Sequence, residues 1–333
     1  MIDEDDLVRR IRAAVAGHGD GVVVGIGDDC AVLETTPGTR LLAKTDLLIE
    51  DVHFRRRYAT PRDVGWKSLA VNVSDISAKG ARSRWALVAL ACPAATSPQD
   101  IEDFYGGLLE LARPYGISVV GGDTSSSPGA WFVNVMLLGE AAHPVLRSTA
   151  RSGDVVAVTG TLGRSAAGLA LLDAAQETSR VDAGIRAEMV EAHLRPRPRV
   201  AEGRWLGSAN GVTAMMDISD GIGIDLPRLC AESGTGATVD VAAIPIAPGV
   251  RAVADAFGAD ALAWATGGGE DYELLVVCAA DAFGAIARGL RASTGTDLTR
   301  IGTIEAEPGT RFVGVDGRAV SVRAGYQHFA ARP

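Results

Sequence analysis

Residues 85–124, WALVALACPAATSPQDIEDFYGGLLELARPYGISVVGGDT, decide the fold class. The apolar run at 85–91 reads as a strand, and Ser97-Pro98 supplies a helix cap followed by proline at the first turn. That helix fills 98–115, and the apolar run at 117–120 then passes into Gly121-Gly122-Asp123-Thr124. Strand, helix and strand in succession predict an α/β architecture.

The alternation continues on both sides. Ahead of this stretch, the spacing predicts a helix over 3–16 with Leu7, Val8, Ile11 and Val15 as its apolar stripe, strands at 22–26 and 41–46, and a helix over 61–79. Behind it, a strand at 131–138 closes the first half, and the polar stretch 143–153 breaks the pattern. Further strands are expected at 154–160, 212–216, 237–241, 273–278 and 311–315. With 333 residues, the chain divides into two α/β domains of the α+β type, 1–148 and 149–333.

Composition excludes several classes. The 41 acids against 32 bases give a net charge of −9, which argues against nucleic acid as a partner. Lys44, Lys67 and Lys79 are the only lysines, and none closes a GxxxxGK[ST] loop, so a P-loop is ruled out. No apolar run reaches the length of a membrane span, and no charged-then-apolar leader opens the chain, so a cytoplasmic location without membrane contact is expected. Cys30, Cys92, Cys230 and Cys278 form no CxxC pair and read as buried reduced thiols.

The informative acids stand where apolar segments end. Gly25-Ile26-Gly27-Asp28-Asp29 follows the run at 22–24, and Lys44-Thr45-Asp46 closes the next strand, shortly before His53. On the helix over 61–79, Asn72, Asp75 and Lys79 share one face among apolar neighbours. Asp75 there needs a partner, which is either Lys79 or a metal. The second half offers Met216-Asp217-Ile218-Ser219-Asp220-Gly221 and Gly267-Gly268-Gly269-Glu270-Asp271-Tyr272-Glu273-Leu274-Leu275. Carboxylates beside hydroxyls suit Mg²⁺ rather than zinc, and the five histidines show no ligand spacing. Mg²⁺ is typically bound by carboxylates together with substrate phosphates, which makes a phosphorylated substrate the expectation. The loop Thr159-Gly160-Thr161-Leu162-Gly163 is either a phosphate cradle or a tight turn before a helix.

In order, GIGDDCAV, TD…DVHF, SDISAKGA, VVGGDT, GDVVAVTGTLG, MDISDG, GGEDYELL and GYQHF resemble the thiamine-monophosphate kinase family. That family lies within the superfamily of aminoimidazole-ribotide synthetase, selenophosphate synthetase and the hydrogenase-maturation dehydratase. The resemblance runs from about residue 20 to 329. It implies a two-domain fold like that of aminoimidazole-ribotide synthetase, a homodimer, and a β-barrel built by the N-terminal halves of two chains. The first domain would bind ATP and Mg²⁺ and dimerise, and the second would complete the nucleotide and substrate site. The implied reaction moves the γ-phosphoryl of ATP onto thiamine monophosphate, assisted by several Mg²⁺ and needing no general base. Matching positions are Asp29, Thr45, Asp46, Asp75, Asp123, Asp217 and Asp220 for metal, with Asp28 a lesser candidate. Tyr105, Gly122, Asp123, Arg147 and Ser219 match ATP contacts, and His53, Glu270 and Tyr326 match substrate contacts.

Lys44 departs from the family, where Ser or Thr is usual. Three outcomes are open: a lost side-chain ligand, no effect because only the backbone carbonyl binds, or an ammonium that replaces part of one cation's charge. Selenophosphate synthesis would want a reactive Cys and a Lys ahead of Cys30, and neither is there. The remaining rivals are another ATP-using enzyme of the superfamily and an inactive nucleotide-binding sensor or scaffold.

Overall fold

The computed structural model describes residues 4–15, 19–174 and 180–328. Of the features expected from sequence, His18, Phe329 and the side chains of Leu7 and Val8 lie outside the described residues. The chain separates into two compact units, one of residues 1–76 and 81–143, the other of residues 77–80 and 144–333.

The first unit opens with α1 (Glu4–Ala14), β1 (Val22–Val24) and β2 (Val32–Leu33). It continues with β3 (Arg40–Ile49), α2 (Pro61–Ser77), β4 (Arg82–Pro93), α3 (Pro98–Tyr115), β5 (Ser118–Ser127) and β6 (Phe132–Ala141). β1 and β2 pair as a small ribbon, while the main sheet has the order β3-β6-β4-β5. β4 and β5 are parallel, with α3 as the helical crossover that parallel neighbours need. Ser97 Oγ accepts the N–H of Asp100 at 3.1 Å, and Gly116, at φ 66°, ends the helix. Along α3, Ile101, Phe104, Tyr105, Leu108, Leu111 and Ala112 recur at helical spacing and are buried. A Cβ on Gly107 would stand 1.8 Å from the Arg62 carbonyl oxygen, so glycine is what lets α2 and α3 approach this closely.

One face of this sheet is covered and the other is open. Val133, Val135 and Leu137 of β6 and Ala86, Val88 and Leu90 of β4 are almost completely buried. On the opposite face, Leu41, Leu47 and Met136 remain 53%, 48% and 42% exposed. The sheet is open rather than closed into a barrel within the chain.

Three expectations need correction here. β3 does not end at Asp46 but runs three residues further, because its pairing with β6 continues to Ile49–Phe132 whatever the side chains do. β5 likewise continues through Gly121-Gly122-Asp123 to Ser127. α2 stops at Ser77 before a left-handed Gly80, so Lys79 lies past the helix and does not continue the face of Asp75.

The second unit contains β7 (Val155–Thr159), α4 (Arg164–Asp173), α5 (Ala183–Leu194), α6 (Val200–Ser208), β8 (Val212–Asp217) and α7 (Ile222–Ser233). It then adds β9 (Gly236–Asp240), α8 (Pro248–Phe257), α9 (Ala261–Gly267), β10 (Leu274–Cys278), α10 (Phe283–Thr294), β11 (Leu298–Glu305) and β12 (Gly309–Val313). The six strands run in the order β12-β9-β11-β7-β10-β8, antiparallel except for β12 beside β9. Alternation splits their side chains between two cores. Val156, Val158, Leu275 and Val277 pack with Leu226 and Leu229 of α7. Val155, Ala157, Leu274 and Val276 pack with Leu206 of α6 and Leu290 of α10. Each of these valine and leucine side chains contributes about 1.5–3 kcal/mol by leaving water.

Residues 77–80 form a short inserted piece of this unit. Lys79 Nζ donates to the Met215 carbonyl at 2.9 Å, and the Lys79 carbonyl accepts the N–H of Val145 at 3.1 Å. Gly203 and Gly207 of α6 lie against the backbone of Ser77 and Gly80. Of the cysteines, all free, Cys30 is exposed and only the other three are buried, which corrects the sequence expectation for Cys30.

Candidate functional site

In the first unit, two predicted metal-facing carboxylates meet on one cation. Lys44 Nζ stands 3.1 Å from Asp46 Oδ1 and 2.9 Å from Asp75 Oδ2. Strand alternation puts Lys44 and Asp46 on one face of β3, and α2 brings Asp75 to them. Burial alone would lower the Lys44 pKa, but the charges of Asp75 and Asp46 outweigh it and raise it. Thr45 points to the other face, where Asn134 Nδ2 donates to its Oγ1 at 2.8 Å.

The other candidates of this unit are spread out. Asp28 and Asp29 sit exposed after β1, with the Asp29 N–H donated to Asp28 Oδ1 at 2.7 Å. Asp123 is exposed, and its Oδ1 accepts the N–H of Thr124 at 2.9 Å. At Gly122 the φ of 156° and a would-be Cβ 1.9 Å from the Val88 carbonyl oxygen both demand glycine. His53 Nδ1 accepts the N–H of Ile49 at 2.9 Å, which puts the proton of the neutral ring on Nε2. Tyr105 is 3% exposed and edge-on to Phe104, and burial pushes its hydroxyl pKa up.

In the second unit, backbone bonds stitch three motifs together. Asp217 ends β8, and the turn Ser219-Asp220-Gly221 leads into α7. The Ser219 carbonyl accepts the N–H of Glu270 at 2.7 Å, and the Asp220 carbonyl accepts that of Tyr326 at 3.0 Å. Ser219, Asp220, Glu270 and Tyr326, from three distant stretches, are thereby neighbours. Glu270 and Tyr272 hold left-handed backbones at φ 58° and 50°, a cost tolerated where surrounding contacts fix the chain. Tyr326 is 40% exposed and edge-on to His328. Arg147 is paired with Glu232 on the surface at 3.4 Å.

Several residues that sequence reading did not single out, most of them outside the motifs, build this region. Asp225 Oδ2 accepts the N–H groups of Ser219, Asp220 and Gly221 at 3.1, 3.0 and 3.0 Å, and Arg228 binds both Asp220 and Asp225. Burial, aided by the charge of Asp220, pushes the Asp225 pKa up to about 7 despite those bonds. Asp271 accepts the N–H groups of Gly163 and Ser165 at 2.7 and 3.2 Å, and burial pushes its pKa up to about 7 against them. Those two amides begin α4, so the loop 159–163 serves as a turn whose helix N-terminus already holds the Asp271 carboxyl. Glu273, 1% exposed, is gripped by both Arg199 Nε and Nη2 and by Arg164. His193 Nδ1 contacts Ser165 Oγ at 3.0 Å and Glu270 Oε2 at 3.4 Å. The signal for Asp225 was an acid in the first helical turn after MDISDG, a position that faces free amides.

No group of three or more His, Cys, Asp or Glu side chains that could hold a metal is preassembled among the described residues. The donor set nevertheless fits a hard divalent cation. It is made of carboxylates, and Asp46 and Asp75 already converge on a single positive centre. Among the described residues no helix is long and apolar enough to cross a membrane.

Residues 27–141 match the family described as AIR synthase related protein, N-terminal domain, and residues 151–315 match its C-terminal domain. A thiamine-monophosphate kinase of Salmonella typhimurium is 37% identical over 330 residues, covering 98% of both chains. The crystal structure of thiamine-monophosphate kinase from Stenotrophomonas maltophilia superposes with a TM-score of 0.82 at 35% identity, covering 96% of this chain and 98% of that one. A further solved relative, complexed with AMPPCP and TMP, gives a TM-score of 0.77 at 33% identity, covering 98% of this chain and 97% of the other.

Proposed function

We infer the function from one premise: the chain belongs to the thiamine-monophosphate kinase family of AIR synthase related proteins, with their two-domain α/β fold. It transfers the γ-phosphoryl of ATP to the phosphate of thiamine monophosphate, giving thiamine diphosphate and ADP. The observation that carries this reading is the stitched turn of the second unit. It brings Ser219 and Asp220, which we assign to nucleotide and metal, beside Glu270 and Tyr326, which we assign to the acceptor.

Each role follows from the chemistry of the group. The acceptor phosphate is already anionic near neutral pH, so no side chain has to remove a proton. The work left to the protein is alignment and charge balance. We assign Asp29, Asp46, Asp75 and Asp123 of the first unit, and Asp217 and Asp220 of the second, to holding Mg²⁺. Thr45 is left out of this set because its hydroxyl is turned to the other face of β3, where Asn134 engages it. Bound there, the ions would neutralise phosphate oxygens that a carboxylate-lined site otherwise repels. Gly122, Tyr105, Arg147 and Ser219 are assigned to ATP, with the Arg147 guanidinium suited to a pair of phosphate oxygens. Glu270 and the face of Tyr326 suit the positive thiazolium and flat pyrimidine of the acceptor. His53, whose Nδ1 accepts the Ile49 N–H, is assigned to the substrate.

The homodimer is part of the same reading. Leu41, Leu47 and Met136 stand about half exposed on the open face of the first sheet, and in this reading a second copy covers it as a two-chain barrel. ATP as co-substrate and free thiols fit a cytoplasmic enzyme. The test is an assay with ATP, Mg²⁺ and thiamine monophosphate in which thiamine diphosphate is measured directly. Product formation is expected. Its absence, together with turnover of another phosphorylated acceptor, would overturn the assignment.

A further inference from the structure

We propose that Lys44 is a built-in cation: its ammonium occupies one of the positive positions between Asp46 and Asp75, so the chain binds one divalent ion fewer there. The proposal rests on the assignment of those two carboxylates to metal binding. Both Oδ atoms lie at hydrogen-bond distance from one Nζ, 3.1 and 2.9 Å away. A Mg²⁺ in the same cradle would draw carboxylate oxygens to about 2.0–2.1 Å. The ammonium and a dication compete for the same two oxygens and repel each other, so they exclude one another unless the lysine swings out.

The local architecture keeps the lysine in. Lys44 and Asp46 share one face of β3 by strand alternation, and ten paired residues hold that strand against β6. The Thr45 hydroxyl cannot stand in as a neutral ligand on this face, because Asn134 engages it on the other. Charge follows directly. Two carboxylates and one ammonium sum to −1, whereas two carboxylates and Mg²⁺ sum to zero. A nucleotide phosphate brought here therefore meets a site one positive charge weaker, held by a covalently attached cation that needs no free Mg²⁺.

Counting bound metal tests this without relying on turnover. Full-length protein is titrated with Mn²⁺ in the presence of the ATP analogue AMPPCP, and free Mn²⁺ is read by electron paramagnetic resonance. The Lys44→Ser variant, which replaces the ammonium with an oxygen ligand, is expected to bind one more Mn²⁺ per chain than the wild type. Lys44→Arg, which keeps the charge, is expected to match the wild type. Where Lys44→Ser folds poorly, Lys44→Gln removes the charge at similar length and is expected to show the same gain. Equal counts in the wild type and the uncharged variants, or a lower count in those variants, would overturn the proposal. A gain of one Mn²⁺ without any thiamine diphosphate formed would leave Lys44 as a cation and sink the kinase reading; product with equal counts would do the reverse.

Discussion

Asp75 shows how one side chain separates chemistry from architecture. Its carboxylate is ion-paired to Lys44, and Lys44 is also held by Asp46. Asp75→Asn therefore leaves the lysine one partner, so the fold should survive. Thiamine diphosphate formation should drop at least about 100-fold, or about 2.7 kcal/mol of transition-state stabilisation. Near-normal activity would return Asp75 to a purely structural ion pair. Asp271 makes a different point. Burial raises its folded pKa to about 7, above its ordinary value of 3.8, so the folded protein holds this proton more tightly than the unfolded chain. The stabilisation is full below about pH 4 and is lost as pH rises towards 7. Denaturant midpoints at pH 4.5 and 7.5 should show the wild type losing stability over this window relative to Asp271→Asn, and parallel behaviour would contradict the raised pKa. In sequence, Glu270, Asp271 and Glu273 are three acids in one motif. Only the structure shows that Asp271 caps α4 and Glu273 is locked by Arg199, because both partners come from more than 70 residues away.

Elements were legible where apolar runs were unbroken. β4, α3, β7 and β10 all lie where their periodicity puts them. β11 escaped sequence reading for a physical reason. A bulge between Arg300 and Gly302 breaks its ladder with β7, so its buried residues are Leu298, Ile301 and Ile304, spaced by three rather than two. The short β2 has too few residues to give a pattern. At β5 the glycine pair, read as the end of a strand, is instead a crowded passage within it. Gly122→Ala would drive a Cβ into the Val88 carbonyl at a φ that side chains avoid. The expected cost is about 2 kcal/mol or more, seen as a lower melting temperature, with nucleotide affinity falling as β5 shifts. Unchanged stability would mean that the β4–β5 spacing is looser than described.

At the scale of the whole molecule, the open sheet face carries the prediction. Leu47→Glu with Met136→Glu places two charges on an apolar surface that a second copy would cover. Light scattering after size exclusion should find a dimer for the wild type and a monomer for the double variant; a wild-type monomer would remove the two-chain barrel. The four-residue piece 77–80 has a consequence of another kind. It is made early on the ribosome, yet its socket, formed by Gly203, Gly207, Met215 and Val145, is made much later. The second half of the gene therefore does not encode a free-standing module. A fragment cut near residue 148 would emerge with an empty groove along α6, and recombination that swapped halves between relatives would have to preserve the fit of a peg from one parent in a socket from the other.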